Sequence, residues 1–237
     1  MDPMAALNAG VKRTLDGDAL GMGGKRQALG GELDPTAAYA LKILVANKSA
    51  GSVIGKAGAT INSIKETSGA RVKVSSNQET FPGTSDRIVL MQGHAHSVLQ
   101  AATLVVMEMF KDPNAAAAAA VKEAGIEGIG GEQGTLTVTV VIPAQACGLI
   151  IGKGGERINL LRENCHAKIQ MQSKDKAIPG INERTVSVQG NCQQCVMGVQ
   201  SIAQILFEDG TVQYENQSTN YGMAASAAMM GGGGQGM

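Results

Sequence analysis

The stretch Ile-Ile-Gly-Lys-Gly-Gly-Glu-Arg-Ile, residues 150–158, decides the fold of this chain. An apolar run leads into a Gly-x-x-Gly turn that carries a lysine, and an amphipathic helical pattern follows the turn. The two glycines leave no side chain over the outer side of the turn, so another backbone can approach closely. The start of the next helix adds unpaired N–H groups and partial positive charge. Together with the ammonium group of Lys153, these features suit a phosphate of a nucleic-acid backbone.

The same pattern occurs earlier in the chain, as Val-Ile-Gly-Lys-Ala-Gly-Ala-Thr-Ile in residues 53–61. Shifting the sequence against itself by 97 positions aligns Tyr39–Asp112 with Leu136–Asp209 without a gap. Both turn glycines, a Pro-Gly pair and one arginine recur at this offset. A spacing this long indicates a tandem domain duplication and excludes a short-period solenoid.

Composition permits two small domains and points weakly to an acidic partner. With 237 residues, 43% of them hydrophobic, the chain can form two small cores of about 75 residues each. Basic and acidic side chains number 20 each over the whole chain, but residues 36–112 hold eight basic against five acidic and residues 134–210 hold seven against six. The positive excess therefore lies in the repeats, and we expect weak non-specific electrostatics with modest salt dependence.

Several function classes are disfavoured. Six aromatic residues without a tryptophan argue against a sheet that stacks bases on aromatic rings. No apolar run approaches 18 residues, so no membrane helix is expected. The glycine turns match neither Walker A nor the dinucleotide fingerprint, and no catalytic set recurs in both copies, so we expect neither an enzyme nor a cofactor.

The four cysteines all lie in the second repeat, and without a signal-like N-terminus they indicate reduced thiols in an intracellular protein. Cys192 and Cys195 have the spacing of a zinc half-site. However, Cys195 falls on the apolar stripe of a predicted helix and the first repeat lacks the pair. A metal site is therefore not expected.

Periodicity predicts the order strand, helix, helix, strand, strand, helix in each repeat. The expected fold is α+β, with a three-stranded antiparallel sheet covered on one face by three helices. The predicted organisation is a disordered N-terminal tail (1–35), a first domain (36–112), an Ala/Gly-rich linker (113–133), a second domain (134–210) and a low-complexity Met/Gly-rich tail (211–237). About 20 flexible linker residues would span roughly 25 Å.

These motifs resemble those of K-homology (KH) domains of the eukaryotic type I. Residues 51–58 and 147–155 resemble the core of that family, and residues 69–74 and 81–87 are similar to its Nova and poly(C)-binding branch. The resemblance covers about 150 residues, in two complete copies. It implies a protein that binds single-stranded RNA, or single-stranded DNA, with about four nucleotides per domain.

The resemblance also implies which residues would contact the nucleic acid. The backbone clamps would be Gly55, Lys56, Ala57, Gly58, Gly152, Lys153, Gly154 and Gly155. The apolar base groove would comprise Val53, Ile54, Ile61, Val72, Val74, Ile150, Ile151, Ile158, Ile169 and Met171. Val74 and Met171 would contact a base edge through their backbone groups.

In this branch, an arginine on the second strand and one at the start of the third donate to cytosine. Arg71 and Arg87 match both positions in the first repeat. In the second repeat Arg184 matches, whereas Lys168 replaces the other arginine and lacks its planar fork, so a looser cytosine preference is expected there. A small groove without aromatic residues prefers pyrimidines, which fits C/U-rich targets.

The expected function is post-transcriptional regulation of mRNA (splicing, stability or translation) in the nucleus, the cytoplasm or both. The alternative is a protein–protein adaptor in which one domain, expected to be the second, no longer binds RNA. Such an adaptor would contact its partner through its last helix or first strand, and the resemblance implies that homodimerisation can use the same surfaces. Each candidate residue can also have a purely structural role. The apolar residues can belong to the core, the lysines can be ordinary surface residues, and the arginines can pair with the neighbouring acidic residues.

Overall fold

The computed structural model describes residues 38–112, 134–209 and 217–221. The first repeat comprises β1 (Tyr39–Ala46), α1 (Ala50–Ile54), α2 (Ala59–Ser68), β2 (Arg71–Val74), β3 (Asp86–Gly93) and α3 (Ala95–Phe110). The second comprises β4 (Leu136–Pro143), α4 (Cys147–Ile151), α5 (Glu156–Cys165), β5 (Lys168–Met171), β6 (Glu183–Gly190) and α6 (Cys192–Glu208). The predicted element order is confirmed in both repeats.

Local sequence explains where these elements begin and end. Helix α2 ends at Gly69, whose left-handed backbone lets its N–H donate to the Lys65 carbonyl. Helix α6 begins with a capping box in which the side chains of Asn191 and Gln194 satisfy each other's backbone N–H groups. Short 3-10 turns, Lys56–Gly58 and Lys153–Gly155, join the first two helices of each repeat.

Each repeat forms the expected three-stranded antiparallel sheet, and the two sheets join edge to edge, which was not predicted. The strands form one six-stranded antiparallel sheet in the order β2-β3-β1-β4-β6-β5, because β1 pairs with β4 across the two repeats. The helices cover one face, and the buried residues beneath them form a single cluster that runs through both repeats. The two predicted cores are therefore one continuous core. Pairing two strand edges that would otherwise be exposed satisfies their N–H and C=O groups.

The repeats are related by an approximate two-fold axis. In the β1–β4 pair, Ile43 lies opposite Val140, which is its own equivalent at an offset of 97 positions. On the helical layer, the Gln200 side chain donates to the Thr103 hydroxyl at 2.9 Å, and these two positions are also equivalent. When equivalent positions meet, the interface is isologous, as in a symmetric dimer. One chain therefore contains the arrangement of a two-fold dimer.

The face opposite the helices carries a second, smaller cluster at the junction of the repeats. Its buried members are Leu44, Phe81, Ile88, Val141 and Tyr221. Tyr221 belongs to the stretch that composition assigns to a low-complexity tail, yet it is buried in this cluster, and nearby Thr219 is buried as well. The other predictions for residues 1–35, for 113–133 and for the rest of 211–237 lie outside the described residues.

Candidate nucleic-acid interface

The two Gly-Lys-x-Gly turns have the same backbone conformation. Gly55 and Gly152 adopt φ of 76° and 72° with extended ψ, and the third residue of each turn is left-handed, with φ of 52° at Ala57 and 63° at Gly154. A left-handed alanine costs about 1 kcal/mol, so the first turn keeps this shape at an energetic cost. The middle pair of each turn, including its lysine, is exposed. Both turns can therefore present a lysine and a bare backbone to a phosphate.

The first glycine of each turn is required by space as well as by conformation. A Cβ atom on Gly55 would lie 2.2 Å from the Thr60 hydroxyl oxygen and 2.6 Å from the Thr60 backbone nitrogen. A Cβ atom on Gly152 would lie 2.7 Å from the Arg157 Cβ atom. In the second repeat, Arg157 also donates from Nη1 to the Leu149 carbonyl at 3.1 Å and so ties α4 to the start of α5. Arg157 was not predicted as a site residue, and its alignment with Thr60 gave no signal for this role.

The structure divides the predicted groove residues into two sets. Val53, Val72, Ile150, Ile158 and Ile169 are buried in the core. Ile54, Ile61, Val74, Ile151 and Met171 are half-buried and keep exposed surface. The second set keeps surface that a ligand can reach, whereas the first set is enclosed in the core.

The two arginines that begin the third strands are held by loop carbonyls. Arg87 is 9% exposed, donates from Nε to the Ser75 carbonyl at 2.7 Å and from Nη1 to the Asn77 side-chain oxygen at 2.7 Å, and makes a second bond from Nη2 to Ser75. Burial lowers the pKa of Arg87 from its usual value. Three of its five N–H groups are used, so two remain for a ligand. Neither neighbouring acid forms an ion pair with these arginines among the described residues.

Arg184 occupies the matching position of the second repeat. Its Nη2 donates to the Gln172 carbonyl, whereas its Nε is buried and has no hydrogen-bond partner among the residues that the structure describes. The second-strand candidates, Arg71 and Lys168, are exposed on the two edge strands β2 and β5. Donors are thus exposed at the two second-strand positions, whereas Arg87 and Arg184 are each only 9% exposed.

A buried polar cluster, which the sequence did not assign to any site, joins the two repeats. The Lys42 ammonium lies 2.7 Å from a Glu183 carboxylate oxygen and 2.8 Å from the Tyr221 hydroxyl, and that hydroxyl donates to the other Glu183 oxygen. Lys42 has no exposed surface and Glu183 is 4% exposed. Burial lowers the pKa of Lys42, while the Glu183 charge and hydrogen bond act in the opposite direction. One signal was present in the sequence: a lysine within the apolar strand β1.

The cysteines do not form a site among the described residues, where no group of three potential ligands is placed to hold a metal ion. Cys195 is buried and its thiol contacts the backbone carbonyls of Leu136, Val188 and Gly190 at 3.5–3.6 Å. Burial raises the pKa of Cys195 to about 12. Within the same residues, none of the helices has the length and apolar character needed to cross a bilayer.

Comparison with known proteins gives two matches to the family model described as KH domain, at residues 40–106 and 137–204. The chain is 31% identical over 177 residues to RNA-binding protein Nova-2 from Homo sapiens, covering 72% of this chain and 35% of that protein. It is 27% identical over 171 residues to RNA-binding protein Pasilla from Drosophila melanogaster, covering 72% of this chain and 21% of the relative. The chain thus spans about a third and a fifth of the lengths of these two relatives.

The solved structures that align with most of this chain do so with low TM-scores. One is the a/eIF2alpha-aDim2p-rRNA complex from Pyrococcus horikoshii, with a TM-score of 0.25, 14% identity and coverage of 82% of this chain and 94% of that chain. Another is a protein of unknown function from Aeropyrum pernix, with a TM-score of 0.26, 15% identity and coverage of 82% and 93%. Likenesses at these scores do not bear on the fold or on the function.

Proposed function

This chain belongs to the KH domain family and carries two copies of the domain, and from that premise we propose that it is a sequence-selective single-stranded RNA-binding protein. Each domain would bind about four nucleotides with a preference for C/U-rich sequence. The observation that carries the proposal is the closely similar backbone conformation of the two Gly-Lys-x-Gly turns, each with an exposed lysine. The cellular role we propose is regulation of mRNA processing, stability or translation, in the nucleus, the cytoplasm or both.

We propose that each turn holds a phosphate while the half-buried groove residues contact the bases. Phosphate contacts would fix the register of the RNA, and base contacts would supply selectivity. Arg87, with two free N–H groups, has the donors for a bidentate contact to cytosine. Arg71 would add a second fork in the first domain, whereas Lys168 offers a single point charge at the same position. Selectivity for cytosine should therefore be higher in the first domain.

The sheet constrains how one RNA can reach both domains. The edge strands β2 and β5, which carry Val74 and Met171, are separated by four other strands. Five strand spacings correspond to about 24 Å. Because a two-fold axis relates the domains, the two RNA segments would run in opposite directions. A target that engages both domains therefore needs two short C/U-rich segments and a spacer that reverses direction, which a contiguous eight-nucleotide run does not provide.

We give the adaptor alternative less weight, because the surfaces it was expected to use pack against each other within the chain. The first strands pair with each other, and the last helices α3 and α6 pack together with the Gln200–Thr103 bond between them. Across the described residues, the exposed large apolar side chains are Met107 and Leu160, 42% and 48% exposed. They lie on different helices and form no apolar patch on α6, the helix through which the second domain was expected to bind. The same internal pairing occupies the surfaces expected for homodimerisation.

The test is fluorescence anisotropy with a labelled C/U-rich RNA and a poly(A) control, at two salt concentrations. Wild type is compared with Lys56→Asp/Ala57→Asp and Lys153→Asp/Gly154→Asp, with folding checked by circular dichroism. Loss of affinity in a folded double variant would support that turn as a clamp. Unchanged binding in both would refute the clamp assignment, and absence of wild-type binding to either RNA would refute the proposed function.

A second comparison tests the geometry. Two C/U-rich tetranucleotides are joined either directly or through a long spacer that lacks bases, such as an abasic tract. The spaced RNA should bind more tightly than either segment alone through effective concentration, and the contiguous RNA should gain little. Equal gains for both RNAs would contradict opposed grooves.

A further inference from the structure

The smaller cluster on the open face of the sheet lies against the loops that flank both proposed RNA grooves. Its one residue from the C-terminal segment is Tyr221, which is 5% exposed. The Tyr221 ring meets the Phe81 ring edge-on, with centroids 5.3 Å apart. Phe81 belongs to the loop of residues 75–85, between β2 and β3, which we call loop 1.

The equivalent loop of the second domain reaches the same cluster. In this loop of residues 172–182, called loop 2, Ile178 and Ile181 are partly buried against the cluster that contains Tyr221. The two loops also meet directly, since a Cβ atom on Gly83 would lie 3.6 Å from Ile178 Cδ1. Tyr221 therefore packs where loop 1 and loop 2 come together, beside the two-fold axis.

Both loops hold the arginines that begin the third strands. In loop 1, the Ser75 carbonyl and the Asn77 side chain bind the Arg87 guanidinium. Thr80, next to Phe81, pairs with Arg87 as an isolated β-bridge. In loop 2, the Gln172 carbonyl accepts from Arg184, and the Gln172 side chain donates to the Lys176 carbonyl at 2.9 Å. A shift of either loop would move the group that orients its arginine.

The Tyr221 hydroxyl is itself anchored. It accepts from the Lys42 ammonium at 2.8 Å and donates to the Glu183 carboxylate, and these two groups come from different domains. The ring thus has a fixed position relative to both halves of the sheet. The approximate symmetry offers a second such position, but there Thr139 and Asp86 replace Lys42 and Glu183 and no second tyrosine is described.

We propose that residues 217–221 form a C-terminal clasp in which Tyr221 is a positioning residue for both RNA grooves. By packing on loop 1 and loop 2 together, the ring fixes the loop carbonyls that hold Arg87 and Arg184 in place. The clasp therefore sets base selectivity in two domains at once without touching RNA. This inference rests on the proposed RNA-binding function, since the selectivity it explains belongs to that function.

The test separates selectivity from stability. Tyr221→Ala removes the ring and the hydroxyl, Tyr221→Phe keeps the ring contact with Phe81, and Met107→Ala is a control on an exposed helix position. Each is made in full-length protein in two backgrounds, Lys56→Asp/Ala57→Asp and Lys153→Asp/Gly154→Asp, so that one groove is measured at a time. Affinities for a C-rich and a U-rich RNA are measured at a temperature where circular dichroism shows every variant folded.

We expect Tyr221→Ala to reduce the preference for C-rich RNA by about five- to tenfold in both backgrounds, the effect of one lost hydrogen bond per arginine. Tyr221→Phe should retain most of the preference, and Met107→Ala all of it. A purely structural role would lower the folded fraction and leave the ratio of the two affinities unchanged. An unchanged ratio in folded Tyr221→Ala, or a change in only one background, would overturn the proposal.

A second readout does not require RNA. Amide hydrogen exchange of residues 75–85 and 172–182 is measured in the free wild-type protein and in Tyr221→Ala. Faster exchange in both loops supports the clasp even if wild type binds neither RNA, an outcome that would refute only the proposed function. Unchanged exchange in either loop would refute the clasp whatever the RNA data show.

Discussion

Replacing Glu183 with glutamine removes the carboxylate charge that pairs with Lys42, while keeping a side chain of the same shape and an oxygen that can accept from Tyr221. In the wild type, the ammonium and the carboxylate are 2.7 Å apart and almost completely buried. Breaking a buried pair by removing one partner leaves an uncompensated charge and typically costs about 3–5 kcal/mol. We therefore expect Glu183→Gln to lower the free energy of unfolding by about 3 kcal/mol at neutral pH.

Two further variants isolate the charge. Lys42→Met leaves the Glu183 carboxylate with the Tyr221 hydroxyl as its donor, and we expect a loss of similar size, about 3 kcal/mol. The double variant Lys42→Met/Glu183→Gln buries no charge, so it should lie within about 1 kcal/mol of wild type. Glu108→Gln is the matched control, because Glu108 and Lys111 are also close, at 2.6 Å, but Lys111 is 64% exposed. A solvent-exposed pair of this kind contributes at most about 1 kcal/mol.

The assay is guanidinium chloride unfolding followed by far-UV circular dichroism, with linear extrapolation to water. Because Lys42 and Glu183 lie in different domains of one sheet, wild type should unfold in a single transition. Equal losses for Glu183→Gln and Glu108→Gln would show that burial does not set the energy of the pair. A double variant that loses the sum of the two single losses would refute the account in which an unpaired charge is the cause.

Three other changes test separate features. Gly152→Ala should destabilise the protein by about 1–3 kcal/mol and abolish RNA binding by the second domain. Gly154→Ala, where an added Cβ meets nothing within 4 Å, should cost about 1 kcal/mol and keep RNA binding. Denaturant unfolding and fluorescence anisotropy measure the two effects, and equal effects of the two substitutions would contradict the steric argument. Burial raises the pKa of Asp86 above its usual 3.8, so the folded state holds this proton more tightly than the unfolded state, and the resulting stability at low pH is lost as the pH rises through the raised pKa. The stability of Asp86→Asn relative to wild type should therefore increase as the pH rises from 3.8 through the raised pKa, and a pH-independent difference in unfolding midpoints would refute this prediction. Burial raises the pKa of Cys195 to about 12, so this thiol should resist iodoacetamide in the folded protein at about pH 8, while half-buried Cys192 is modified faster. Peptide mass spectrometry measures the two modification rates, and equal rates would contradict the burial argument.

Local pattern predicted the elements of each repeat well, because strand alternation, helix stripes and glycine stops are properties of neighbouring residues. The pattern could not separate a half-buried apolar residue from a core residue. Ile61 and Ile158 occupy equivalent positions, yet Ile61 is half-buried and Ile158 is only 6% exposed. Both are apolar residues on the same helix face, and the packing of neighbouring elements decides which keeps exposed surface. Periodicity specifies a face, whereas exposure depends on what covers it.

The joining of the two sheets and the burial of Tyr221 were not predictable in the same way. Pairing of β1 with β4 satisfies backbone groups and leaves little trace in side-chain alternation, because both faces of β1 are buried. Tyr221 is one aromatic residue in a short polar segment, which has no period to detect. Lys42 was the accessible signal, since a lysine within an apolar strand needs an acidic partner if it is buried. The sequence could indicate that a partner was needed, although only the fold identifies Glu183.

The symmetry of this chain also explains why its two domains can differ. In a homodimer, every residue at a two-fold interface appears twice, so a buried lysine and its carboxylate partner would become two buried ion pairs near the same axis. A chain that holds both copies can place Lys42 and Glu183 on one side and Thr139 and Asp86 on the other. The same freedom permits Arg71 on one edge strand and Lys168 on the other. Under the proposed function, the two domains would therefore be two unlike RNA sites, and the domain with both arginines would determine which cytosine-containing segment is selected.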